Sequence, residues 1–270
     1  MTQLINPYTV TYPDMGKMPS IDDTTFAISE VFFSLQGEGT QVGNSMVFVR
    51  LPLCNFLCSF CDSAYSVKSI GTTTMSFEEL GKYIVEETKC HIVTFTGGES
   101  TIWYDKIEAF HNFLIDKYSS SHFIPEFTFE TNGSLFKQDM STSGFYFTVS
   151  PKLGVSGMSS RTNYDSLKNY VKFTQSQFKF VVQQFEELEE VYQLLQDIQV
   201  PRHMDITFQP EWYQFEALEE VKKTGDYWKP YCMFLKDLTE HLLASEKWKQ
   251  YRWRVLPQMH KLFWGNIAGV

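Results

Sequence analysis

Apolar positions along the chain change period several times, and each change marks an element. "TFAISEVFFSL" (25–35) and "SMVFVRLPL" (45–53) are rich in β-branched and aromatic residues and predict strands, with the turn-forming "QGEGTQVGN" (36–44) between them. "SFEELGKYIVEE" (76–87) switches to helical spacing, with Phe77, Leu80 and Ile84 on one face and a capping-box pair, Ser76 and Glu79, at its start. Strand and helix then alternate: "HIVTFT", the helix "DKIEAFHNFLIDKY", "EFTFET", "FYFTVS", the helix "YDSLKNYVKF", "FKFVV", the helix "EELEEVYQLLQDI" and "MDITFQP". This alternation predicts an α/β fold, a parallel sheet with crossover helices that is either open or closed into a barrel.

In such sheets ligands sit beyond the carboxyl ends of the strands. Four chemically suggestive stretches fall there: "TGGES" after "HIVTF", "ETNG" ending "EFTF", "SPK" after "FYFTV", and "QPEW" after "MDITF". No repeat or Pro/Gly/Ser-rich linker divides the chain, so the expected organisation is an N-terminal arm, residues 1–23, and a single domain, residues 24–270.

Composition narrows the classes of function. With 270 residues, 43% hydrophobic and 20% charged, the chain can bury a large core. A net charge of −9 argues against a broad grip on nucleic-acid phosphates, so no direct nucleic-acid partner is expected. The acidic run "EELEE" (186–190) sits in a helical pattern and reads as a solvated face. The amino-terminal residues lack the basic and apolar runs of a signal peptide, and no segment has the roughly 20 apolar residues of a membrane span, so a cytoplasmic protein is expected.

The cysteines carry the sharpest chemical signal. Three of the five, Cys54, Cys58 and Cys61, lie within "CNFLCSFCD" (54–62). Clustering without a secretion signal favours metal chemistry over disulfides. A structural zinc site normally takes four protein ligands, and Cys90 and Cys232 are distant residues in apolar settings. An iron–sulfur cubane can use three thiolates and leave one iron open to a chelating ligand. Beside it, Gly97 and Gly98 permit close backbone approach, and Glu99 could hold an ammonium group.

Together the C-x3-C-x2-C spacing and the glycine-rich turn resemble the radical S-adenosylmethionine superfamily. Within it the chain resembles the 7-carboxy-7-deazaguanine synthase family, through "ISEVFFSLQGEGTQVG", "FVRLPLCNFLCSFCDS", "TFTGGES", "FETNGS", "VSPK", "KFVV", "FQPE" and "RVLPQMHK" over residues 28–265. The resemblance implies a partial (β/α) TIM-like barrel. It also implies a [4Fe–4S] cluster on Cys54, Cys58 and Cys61, with S-adenosylmethionine chelating the fourth iron and yielding a deoxyadenosyl radical. The implied reaction contracts the ring of 6-carboxy-5,6,7,8-tetrahydropterin to 7-carboxy-7-deazaguanine with loss of ammonia, in queuosine-type deazapurine biosynthesis.

Carried over motif by motif, Phe60, Asp62, Gly98, Glu99, Ser150, Pro151, Lys152, Gln209, Pro210, Glu211 and Trp212 would line the cofactor site. Leu35, Gln36, Gly37, Glu38, Arg50 and Thr96 would hold the pterin, with His260 near it. Arg50 has a physical rationale as a fork for the substrate carboxylate, and Glu38 as an acceptor for pterin N–H donors. Ser63 would be the magnesium ligand. The resemblance further implies an electron donor such as flavodoxin and a homodimer.

Three departures stand out: Ser100 where the superfamily usually has proline, Ser63 where many relatives have threonine, and a tail "LFWGNIAGV" beyond "QMHK". A change at Ser100 is expected to alter local geometry more than chemistry. The segment 212–253 and the arm lie largely outside the resemblance, and could serve as lid, dimer contact or packing. Two rival readings are a glycyl-radical-enzyme activase, against which "SLQGEG", Arg50 and "QMHK" speak, and a non-catalytic zinc-binding module.

Overall fold

A computed structural model describes residues 20–121, 123–173, 175–265 and 267. Most of the expected arm therefore lies outside the described residues. The run 25–35 is two strands, β1 (Thr25–Ile28) and β2 (Glu30–Leu35), which separate at Ser29 and join different sheets. After β3 (Ser45–Leu51) come a short helix α1 (Ala64–Val67) and β4 (Thr73–Ser76), which pairs antiparallel with β1. The predicted capping box forms at Ser76 and Glu79 and starts α2 (Phe77–Gly81), which widens into a π-helical stretch over Lys82–Thr88.

The alternating series then follows: β5 (Ile92–Gly97), α3 (Tyr104–Tyr118), β6 (Glu126–Thr131), β7 (Tyr146–Val149), α4 (Tyr164–Val171), β8 (Ser176–Val182), α5 (Glu187–Asp197) and β9 (Asp205–Pro210). Two short helices, α6 (Tyr213–Glu216) and α7 (Glu219–Thr224), lead to the long α8 (Trp228–Ala244), β10 (Arg252–Val255) and α9 (Met259–Trp264). The segment 212–253 thus includes packing elements. Leu238 and Leu242 of α8 enter the main core, and Tyr231 joins Trp212 and Phe215 in a small second cluster.

The main sheet runs β10-β9-β8-β7-β6-β5-β3-β2, parallel throughout except for the antiparallel β2–β3 pair. From β3 to β10 the order never reverses. Right-handed crossovers that always step the same way place their helices on one face, and the other face curls inward. The architecture is an α/β partial barrel, with β2 and β10 as its unpaired edges among the described residues.

The two faces of the sheet differ in chemistry. Val93, Phe95, Phe127, Phe129, Phe147, Val149, Phe178, Phe180, Ile206 and Phe208 are buried in the core. Phe129 meets Tyr104 of α3, and Phe147 meets Tyr170 of α4, so this set faces the helices. The alternate positions Thr94, Thr96, Thr128, Thr148, Gln177, Lys179, Thr207 and Gln209 are also buried, yet polar. Side chains alternate across a strand, so these line the barrel interior. Some satisfy one another there, with Thr94 Oγ1 and Thr128 Oγ1 at 2.6 Å and Gln177 Nε2 donating to Thr148 Oγ1 at 2.9 Å, while Gln209 Oε1 is buried without a hydrogen-bond partner among the described residues. A polar, buried interior is a site waiting for a polar ligand.

Candidate active site

The cysteine loop leaves the carboxyl end of β3 and is fastened on several sides. Leu53, in the left-handed region at φ 73°, accepts the Glu99 N–H through its carbonyl at 2.7 Å. Leu51 accepts the Gly98 N–H at 2.9 Å. This backbone zipper explains Gly98, because a methyl group there would overlap the Leu53 carbonyl. Gly97 bends at φ 110°, close against the Leu51 backbone. From the far side, Ser59 donates to Ser156 O at 3.1 Å and Val155 O at 2.9 Å, while Asn55 donates to Ser134 Oγ at 2.8 Å and accepts from Asn132 Nδ2 at 2.9 Å.

Cys54, Cys58 and Cys61 are half-buried, form no disulfide, and line one cleft of about 230 Å³. Burial, helped by Glu99, pushes the Cys54 thiol up to about 12, and burial raises the other two. Cluster binding at this loop would accordingly release protons. Among the described residues, no three His, Cys, Asp or Glu side chains are arranged to hold a single metal ion. The two other cysteines stand apart, Cys90 buried with its thiol donating to Ile92 O and Cys232 exposed on α8. A donor set of three thiols facing a polar cleft fits a three-cysteine cluster.

Beside the cysteines, Glu99 is 1% exposed and heavily engaged. Its Oε1 accepts from Thr101 N, Thr101 Oγ1 and Thr131 Oγ1 at 3.1, 2.6 and 2.6 Å, and its Oε2 from Asn132 N at 2.7 Å. The carboxylate thereby joins the "TGGES" and "ETNG" turns and still borders the cleft. Ser100 donates to Glu130 O at 2.7 Å. Ser63 is buried, its hydroxyl 3.4 Å from Gly97 O and 4.0 Å from Cys61 Sγ. Lys152 donates to Ser150 Oγ at 2.9 Å. Glu211 accepts Tyr213 N and Gln214 N at 2.7 and 2.9 Å, and its burial raises its pKa.

The "QGEG" loop builds a further part of the cleft wall. Gln36 donates to Glu130 Oε1 at 3.1 Å, and Thr96 donates to Glu130 Oε2 at 2.7 Å. Glu38 pairs with Lys179 of β8 and accepts from Gln258 Nε2 at 2.7 Å. Burial alone would raise the Glu38 pKa, but Lys179 and His260 outweigh it and hold the group well below its usual range. Met259 N–H donates to Gly37 O at 3.0 Å, so the chain after β10 is tied to the chain after β2 across the sheet edges. Gly37 permits that closeness, since a side chain there would collide with the His260 ring and lie 2.9 Å from its backbone nitrogen. Burial lowers the His260 pKa despite Glu38 and Asp62 nearby. Arg50 enters the cleft from β3, its Nε bonded to Glu30 at 3.1 Å. Burial opposes its charge, while Tyr65, Asp62, Glu30 and Glu130 favour it and raise its pKa.

Most residues expected from sequence meet here. The cleft is lined by Leu35, Gln36, Gly37, Glu38, Arg50, Cys54, Cys58, Phe60, Cys61, Asp62, Ser63, Thr96, Gly98, Glu99, Ser150, Lys152, Glu211 and His260. Pro151, Gln209, Pro210 and Trp212 do not line it. Gln209 spends its amide on Pro257 O at 3.2 Å; Pro210 is at an alternate, outward position of β9; Trp212 packs with Tyr231 and donates to Glu216 at 2.6 Å. Conversely, Glu130, Lys179, Gln258 and Lys261 line the cleft and were absent from the expected set. The signal for the first two was the polar phase of "EFTFET" and "SQFKFVV", which a strand buried on both faces has no reason to keep.

Comparison with known proteins bears directly on this arrangement. The model of the Radical SAM superfamily matches residues 48–208, from β3 to β9. A 7-carboxy-7-deazaguanine synthase of Aquifex aeolicus is 30% identical over 247 residues, covering 89% of this chain and 94% of the relative. The chain belongs to the 7-carboxy-7-deazaguanine synthase family of the radical SAM superfamily. Another family relative, from Thermoplasma acidophilum, is 28% identical over 90% of this chain and 99% of its own length. Among solved structures, QueE from Escherichia coli shares the fold, with a TM-score of 0.55 and 21% identity over 86% of this chain and 93% of that one. So does anSMEcpe with bound AdoMet, with a TM-score of 0.54 and 17% identity over 76% of this chain and 62% of that one. Membership in the superfamily implies a [4Fe–4S] cluster and S-adenosylmethionine as cofactors. Among the described residues no helix is long and apolar enough to cross a membrane.

Proposed function

We propose that this protein converts 6-carboxy-5,6,7,8-tetrahydropterin to 7-carboxy-7-deazaguanine with loss of ammonia, at the cleft described above. The observation that carries the reading is one cleft lined together by three thiols, a glycine turn, Arg50 beside that turn and the "QGEG" loop. Cys54, Cys58 and Cys61 would hold the cluster, and the bound cofactors would supply a radical able to take hydrogen from the carbon bearing the substrate carboxylate.

The chain's own residues bind, orient and shield. Gly97 and Gly98 expose backbone beside the thiols, and Glu99 stiffens that turn while keeping its carboxylate at the cleft wall. Ser150, Lys152 and Glu211 border the same cleft and present a hydroxyl, an ammonium and a carboxylate to a cofactor rich in polar groups. Arg50 offers its guanidinium fork to the substrate carboxylate. Gln36, Glu38, Glu130 and Thr96 offer acceptors and an amide to the pterin's donor edge, and His260 closes the cleft over Gly37. Ser63 would supply a hard oxygen suited to magnesium, which would help hold the substrate carboxylate.

A physiological electron donor such as flavodoxin, a homodimeric state and a cytoplasmic location complete the proposal. The test is anaerobic reconstitution followed by turnover with reductant and magnesium. Iron and sulfide near four each per chain, with product formed, support it; about one zinc without sulfide supports a zinc module instead.

A further inference from the structure

Arg50 and Glu30 face each other in the β2–β3 ladder as an opposed cross-strand pair. Arg50 Nε donates to Glu30 Oε2 at 3.1 Å, the one side-chain hydrogen bond of Arg50 among the described residues. The same oxygen accepts the Tyr65 hydroxyl at 2.9 Å. Tyr65 lies in α1, two residues beyond Ser63. The guanidinium also rests over the Phe32 ring, 5.9 Å from its centroid. Arg50 reaches the cleft, whereas neither Glu30 nor Tyr65 is part of its wall.

This arrangement fixes the guanidinium by its inner edge. A bond at Nε and a ring below restrict the guanidinium and occupy its inner edge, which leaves the terminal edge, with its two parallel N–H donors, to receive a carboxylate in bidentate geometry. One oxygen holding two donors ties the strand that carries Arg50 to the helix that follows the cysteine loop. Resting on the carboxylated-pterin reading above, we infer that Glu30 and Tyr65 are positioning residues that aim Arg50 at the substrate carboxylate. They set the preference of the site for a ligand carrying a carboxylate, and touch neither substrate nor cofactor. An ion pair serving stability alone would be indifferent to that preference, since its loss would weaken all ligands and the fold together.

The experiment uses reconstituted full-length enzyme and two probes, 6-carboxytetrahydropterin and tetrahydropterin lacking the carboxylate. The ratio of their dissociation constants is measured by competition for the parent, Glu30→Gln, Tyr65→Phe and the double variant, alongside iron content, melting temperature and steady-state kinetics. The expected result is a loss of about tenfold in the ratio for Glu30→Gln and roughly threefold for Tyr65→Phe. KM for the carboxylated substrate rises with kcat little changed, and iron content stays at the parent's level. Because both act through Glu30 Oε2, Tyr65→Phe adds little in the Glu30→Gln background. Tyr65→Phe removes one oxygen from a half-buried ring, and so keeps the test available if Glu30→Gln does not fold. An unchanged ratio in both single variants overturns the inference, whether or not melting temperature falls. A parent enzyme that itself binds the two probes equally overturns the carboxylate reading, and this inference with it.

Discussion

Glu38 and Lys179, 141 residues apart in sequence, meet as an ion pair in the cleft with only 13% and 8% of their side chains exposed. Breaking such a pair strands a buried charge. Glu38→Gln is expected to cost about 3–5 kcal/mol at neutral pH, measured by denaturant unfolding. The pH dependence follows from the directions of the shifts. Against its burial, Glu38 is held below its ordinary value of 4.5 by Lys179 and His260, so its contribution is present above that value and lost as pH falls below it. Lys179, against its burial, is raised above its ordinary 10.5 by Glu38 and Glu130, so its contribution is present below that value and lost as pH rises beyond it. The difference between parent and variant should be flat from about pH 6 to 9 and shrink on the acid side. A difference that instead grows as pH falls below neutrality would contradict the pairing.

Gly98→Ala should damage the cysteine loop more than the barrel. The new methyl would collide with the Leu53 carbonyl, a backbone atom that cannot swing aside, immediately before Cys54. Overpacking of this kind costs about 1–3 kcal/mol or more. Iron bound after reconstitution should fall steeply, while far-ultraviolet circular dichroism stays close to the parent's. A variant with full iron content would show that the zipper is dispensable.

Gly37→Ala is expected to separate substrate binding from cluster binding. Its side chain would be driven into His260, which also presents its backbone nitrogen at 2.9 Å, so no rotamer change relieves the overlap. Helix α9 must shift, and KM should rise about tenfold or more with iron content unchanged. Equal loss of iron in this variant would show that α9 supports the cluster loop as well.

Ser100→Ala removes the hydroxyl that holds Glu130 O at 2.7 Å. β5 and β6 stop pairing after Phe95 and Phe129, and this side-chain bond takes up a carbonyl where the ladder has ended. Its removal should lower stability by about 1 kcal/mol and leave iron content intact, as read by thermal melts and metal analysis.

The fold was legible where periodicity was long and clean. The capping box at Ser76, the helix over Tyr104–Tyr118 and the strands β5 to β9 all lie where the pattern placed them. The break at Ser29 was not legible, because strands in different sheets can follow each other without a turn residue and "TFAISEVFFSL" has one composition throughout. β10 and α8 were missed for a related reason. α8 carries Pro230 near its start and is apolar on more than one side, with Met233 and Leu243 exposed beside the buried Tyr231, Leu238 and Leu242, so its helical phase is blurred.

For the site, local motifs reported themselves and long-range partners did not. The thiols, the glycine turn and the "QGEG" loop are short patterns with a chemistry of their own. Lys179 and Gln258 matter only because the curl of the open sheet brings them to Glu38, across 141 and 220 residues of sequence. Trp212, beside Glu211, pointed away from the cleft for a reason invisible in sequence: α6 turns its ring into the cluster with Phe215 and Tyr231.

The measurement that tests the central claim most directly is product analysis after anaerobic reconstitution. Parent enzyme supplied with S-adenosylmethionine, reductant, magnesium and 6-carboxytetrahydropterin is compared with Cys58→Ala. The account predicts 7-carboxy-7-deazaguanine and ammonia from the parent and neither from the variant. Parent enzyme replete in iron and sulfide that forms no deazaguanine, or a variant that forms it undiminished, would contradict the account.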